Sequence, residues 1–72
     1  MKRSEALRIE AAAMRDAAEQ ASEVFGLGTT DPEKLRNSTT NDINYIKGCV
    51  AGTMLVAKGV ERSAEKAETE GD

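Results

Sequence analysis

The strongest constraint on this chain is a spacing. Leu7, Ala11, Met14, Ala18, Ala21 and Phe25 recur at alternating intervals of four and three residues. Leu35, Thr39, Ile43, Ile46, Val50, Thr53, Ala57, Val60, Ala64 and Ala67 follow in steps of four and three that alternate from Ile43 on. Residues three and four apart share one helix face, so each run is the apolar stripe of an amphipathic helix with a coiled-coil-like seam. A half-buried strand would alternate every two residues instead. The charges Arg8, Arg15, Asp16, Glu19 and Glu23 lie off the first stripe, where an amphipathic helix carries them.

Between the two stripes stands GLGTTDP, residues 26–32. Gly26 and Gly28 supply the left-handed backbone that ends a helix. Asp31 suits the cap of a following helix and Pro32 its first position, where a missing N–H costs nothing. Ser4 is placed to cap the first helix. The expected organisation is one all-α domain: a helix over about 4–25, a turn over about 26–31, and a long helix over about 32–67. So short a turn sets the helices antiparallel, as a helical hairpin. The segment RNSTTND, residues 36–42, is a weak point, because its side chains compete for backbone hydrogen bonds. A break near Asn37 to Thr40, with a fresh cap at Thr39 or Thr40, stays open beside the continuous helix. The acidic tail, residues 68–72, sits against the negative end of the helix dipole and is expected to fray.

A chain of 72 residues buries a small fraction of its surface and often needs a staple. Cys49 is the only cysteine, which leaves no disulfide within the chain. With no histidine and one thiol, no metal site is expected. A second, identical chain is the staple that remains. Cys49 sits in an apolar run and reads as a small buried hydrophobe. The net charge of -3 with interspersed signs argues against general nucleic-acid binding. The start has no apolar secretory core, and the uncharged run is far short of the ~20 residues of a membrane span. A soluble, cytoplasmic protein is the expectation.

That uncharged run, GCVAGTMLVA over residues 48–57 of KGCVAGTMLVAKG, is apolar or small on every side. Successive helical positions lie ~100° apart, so Met54, Leu55, Val56 and Ala57 sweep nearly the whole circumference. A hairpin gives such a helix one neighbour, and a helix apolar all round is buried all round. Ile46, Val50, Met54, Leu55, Val56 and Ala57 are therefore the expected interface of a homo-oligomeric helix bundle. Gly48 and Gly52, four apart, allow a close helix crossing there.

Catalysis finds no foothold: histidine is missing and the carboxylates fall on solvent faces, so no enzyme and no cofactor are expected. One polar cluster precedes the apolar run. Asn37, Asn41 and Tyr45 are four apart on one face, and Thr40, Asn44 and Lys47 lie on a neighbouring one. Amides read base edges or peptide groups, hydroxyls and lysine satisfy phosphate, and a tyrosine ring stacks on a base. The same cluster also fits a plain polar surface, or hydrogen bonds that fix the register between subunits.

The second half of the chain, through Ala51, Met54, Ala57 and Lys58 after its polar lead-in, resembles the second helix of a phage family. These are the small helical oligomers that sequester the cyclic oligonucleotide signals of bacterial CBASS immunity. The resemblance implies a nucleotide sponge. The chain lacks the tryptophan expected in the apolar segment, and no binding residue is carried over. The leading expectation is a non-enzymatic interaction module, such as a phage-type inhibitor of a host protein. A cyclic-nucleotide sponge and a structural assembly subunit are the alternatives.

Overall fold

The four-three stripes form the helices they require. The computed structural model describes residues 1–36 and 44–72, with α1 over Arg3–Val24, α2 over Pro32–Arg36 and α3 over Asn44–Thr69. Among the described residues there is no strand, and the fold is all-α. α1 is rich in alanine and free of glycine and proline, the composition that resists helix formation least.

The turn is built as its residues require. Gly26 takes a φ of 66°, and behind it the Leu27 N–H donates to the Ser22 carbonyl at 2.9 Å and the Gly26 N–H to the Glu23 carbonyl at 3.2 Å. This is the Schellman arrangement, which satisfies carbonyls that the helix end leaves open. The buried Ser22 hydroxyl then donates to the Thr29 carbonyl at 2.9 Å, folding the turn back onto α1. Asp31 caps α2 by accepting the Glu33 N–H at 3.0 Å, with Pro32 in the first helical position.

Two terminal expectations need correction. Ser4 is not the cap of α1: the helix begins one residue earlier, and Lys2 stands at the cap position without a side-chain bond. Ser4 is buried, and its hydroxyl donates to the Asp72 carboxylate, whose other oxygen accepts the Ser4 N–H at 2.9 Å. The acidic tail is tied down over this contact, and α3 runs to Thr69. Gly71, at a φ of 91°, lets the Asp72 N–H reach the Ala67 carbonyl at 2.7 Å, which closes the end of α3. An acid at the end of α3 is unfavourable to its own helix dipole. In an antiparallel pair it meets the positive end of the neighbour, which offsets that cost. Hydrogen bonds from Ser4, helped by the nearby Lys2 and Arg3 charges, hold the Asp72 carboxyl below its ordinary range.

α1 and α3 pack antiparallel along their length. Arg8 pairs with Glu68, and Arg15 pairs with Glu61 through Nε at 2.9 Å and Nη2 at 2.5 Å. A step of seven forward on α1 matches a step of seven backward on α3. Along this packing runs a seam of buried alanines, Ala11 and Ala18 on α1 and Ala57, Ala64 and Ala67 on α3. Nearer the turn the core gains size, as Ala18, Leu35 and Val50 form one cluster with Leu27, Ile46 and Met54 packed around it.

Leu35 reaches this cluster from α2 and Val50 from α3. In one straight helix those residues would lie ~22 Å apart. α2 and α3 are therefore not collinear, and α2 lies alongside α3 rather than extending it. The expected passage of the second helix through 37–43, with Thr39 and Ile43 on its stripe, and the alternative break there, lie outside the described residues.

Candidate functional site

The hairpin uses one face of α3 and leaves another open. Val50 is 2 % exposed and Ala57 0 %, so both expected interface residues are covered by the chain's own α1 and α2. A stripe predicts burial without saying which neighbour supplies it, and here the intramolecular neighbour takes it. Ile46 and Met54 are half-buried against the same core. Leu55 and Val56 remain outside, 57 % and 54 % exposed.

Around them the open face is uncharged and low in relief. Gly48, Cys49, Gly52 and Gly59 share it with Leu55 and Val56, and a Cβ built on any of those three glycines would meet nothing within 4 Å. Cys49 is exposed, against the expectation of a buried thiol. Lys58 is six residues from Gly52 and so ~120° away around the helix. Grooves flank the face on both sides. One, of about 500 Å³, runs between Met14 of α1 and Gly52, Thr53 and Val56 of α3. The other, of about 560 Å³, runs between α2 and α3 and is lined by Leu35, Arg36, Asn44, Lys47, Gly48 and Leu55 among others.

The second groove holds what the structure describes of the polar cluster. Asn44 and Lys47 line it, and α2 adds Arg36 and Glu33, which pair with each other at 3.8 Å. Lys47 is 6 % exposed, an unusual burial for lysine. Its long stem shares the groove wall with Leu35 and Ala51. Asn44 and Lys47, expected on one face, line this groove together, while Tyr45, expected on the neighbouring face, is 81 % exposed and is not among the lining residues. Asn37, Thr40 and Asn41 lie outside the described residues. Arg36 joins this groove because α2 folds alongside α3.

Arg15 is likewise not a free charge on an outer face. Its guanidinium and the Glu61 carboxylate are each about one-third exposed, and their hydrogen bond holds Glu61 below its ordinary range. Among the described residues, no group of His, Cys, Asp and Glu is placed to hold a metal ion, and no helix is long and apolar enough to cross a membrane. No protein family matches the chain, and no curated protein or solved structure is significantly similar to it.

Proposed function

We propose that this protein is a non-enzymatic interaction module: a helical hairpin that assembles with identical copies and works by binding. The observation that supports this is the open face of α3. After the hairpin has closed its alanine seam, Leu55 and Val56 still expose more than half their surface on a stripe without charge. Contiguous exposed apolar surface of this kind marks interaction sites in small proteins. Sedimentation velocity at micromolar concentration tests the proposal. The expected result is an oligomer that Leu55→Lys converts to a helical monomer, because the substitution places an unpaired charge in the contact. A wild-type chain that sediments as a monomer at all concentrations would contradict it.

The groove between α2 and α3 supports a second reading, the capture of a small phosphorylated ligand such as a cyclic nucleotide. Two cations, Arg36 and Lys47, and the Asn44 amide border one concavity of about 560 Å³, within the range of small-molecule sites. Calorimetry against cyclic di- and trinucleotides tests it. A charge-assisted hydrogen bond contributes ~1.5–3 kcal/mol, so Lys47→Ala should weaken binding by roughly 10- to 100-fold. No heat with any of these ligands would remove this reading and leave the interaction module standing.

A further inference from the structure

α1 begins without a cap of its own. Lys2 stands at the cap position and makes no side-chain bond there, because its side chain has no oxygen to offer the first-turn amides. The first backbone bond of the helix runs from the Ala6 N–H to the Lys2 carbonyl at 3.1 Å. The amides of Arg3, Ser4 and Glu5 come before it, where a helix supplies no acceptor. An ordinary cap is an Asp or Ser just ahead of the helix, whose oxygen accepts the N–H of the second or third helical residue. Ser4 is the second helical residue, and its N–H donates at 2.9 Å to a carboxylate oxygen of Asp72, 68 residues further along the chain. The other oxygen accepts the buried Ser4 hydroxyl. We propose that Asp72 is the N-cap of α1, supplied from across the hairpin, and that it makes the first turn of α1 and the last turn of α3 open and close as one latch.

One residue serves both helices. The Asp72 N–H closes α3 on the Ala67 carbonyl, while the Asp72 side chain opens α1. Its backbone is set for this. Gly71 and Asp72 both take left-handed φ values, 91° and 53°, which turn the chain off the path of α3, and aspartate tolerates that conformation better than most residues. The charges agree. The carboxylate sits at the positive end of the α1 dipole, with Lys2 and Arg3 nearby. Glu68 and Glu70, its acidic neighbours in sequence, are held by Arg8 and Lys66. Apolar burial contributes little at this end. The buried side chains there, Ser4, Ala11, Ala64 and Ala67, are all small, so few atoms gain contact when the helices close. The bonds of Asp72 therefore carry the closure.

Amide exchange followed by NMR tests the latch, read at Ser4 and Ala6 on α1, at Glu70 beside the end of α3, and at Val50 and Ala57 as internal controls. In Asp72→Ala, protection at Ser4, Ala6 and Glu70 should fall by roughly 2- to 30-fold, the range spanned by the loss of a helix cap, while Val50 and Ala57 keep theirs. Ser4→Ala removes one of the two bonds from the α1 side. It should loosen Glu70 as well, although the substitution lies on the other helix. Lys2→Asp added to Asp72→Ala gives α1 a local cap. It should restore Ala6 and leave Glu70 loose, because a local cap serves one helix only. Unchanged protection at Ser4 and Ala6 in Asp72→Ala, or a double variant in which Ala6 stays loose, would overturn the cap and the latch together. Protection at Glu70 that is untouched by Ser4→Ala would mean two ends that fray separately, and would overturn the latch.

Discussion

The two ends of the hairpin solve the same packing problem with different materials. Away from the turn, α1 and α3 close on each other through the buried Ala11, Ala64 and Ala67, and Arg8–Glu68 and Arg15–Glu61 flank the seam. Alanine loses no side-chain entropy on burial, and charged side chains shield the edges. Nearer the turn the buried residues are larger, Leu35 and Val50, and a third element is recruited to cover them. Beside that core α3 carries glycines, Leu55 and Val56 where the other end carries Arg and Glu. One end is complete as a single chain. The other buries one stripe and presents a second.

The comparison is broken most severely by filling the alanine seam. Ala64 is fully buried, and Ala64→Leu should cost about 1–3 kcal/mol through overpacking. Denaturant unfolding should show the same loss at every protein concentration, because this contact lies within one chain. Ser22→Ala tests the turn, where its hydroxyl holds the Thr29 carbonyl. A loss of about 0.5–1.5 kcal/mol is expected in the same experiment. A neutral result would show that the turn does not depend on this bond.

The seam was legible in the sequence, because period is what helix packing selects. Ala11, Ala18, Leu35, Val50, Ala57, Ala64 and Ala67 all lie on the two stripes and all are buried. The partner of each stripe was not legible. The pattern sets Val50 and Ala57 at a contact with other subunits, since a helical wheel shows which face is apolar and not what covers it. The fold-back of α2 was also hidden. Leu35 keeps the four-three register with the residues of α3, so periodicity extends the helix where the observed α2 packs alongside it. The cross-helix ion pairs left a signal that could have been used: Arg8 and Arg15 are seven apart, as are Glu61 and Glu68. The contact between Ser4 and Asp72 left none, because it depends on how far the two helices run before they end.

Smaller effects sharpen the picture of the charged end. Arg15→Ala and Glu61→Gln should each lower stability slightly, with a coupling that fades as salt screens the exposed pair. A coupling unchanged at 1 M salt would contradict this. The acid dependence follows from Asp72 and Glu61, whose carboxyls are held below their ordinary ranges in the folded chain. A depressed carboxyl contributes stability that is present above its unfolded pKa and lost as the pH falls through the folded one. Stability should therefore decline from about pH 4–5 downward. Asp72→Asn should flatten that decline while leaving stability at pH 7 only slightly lower. An unchanged acid profile would show that Asp72 adds nothing to folding.

The central claim is that the glycine-bearing face of α3 is completed by another copy of the chain, while the alanine seam is completed within it. Thermal unfolding, followed by circular dichroism over a hundredfold range of concentration, tests this most directly. Assembly coupled to folding makes the midpoint depend on concentration. The wild-type midpoint should rise with concentration, and Val56→Lys should make it flat without lowering the helix content. A wild-type midpoint that stays constant across the range, at the value of the Val56→Lys variant, would contradict the claim.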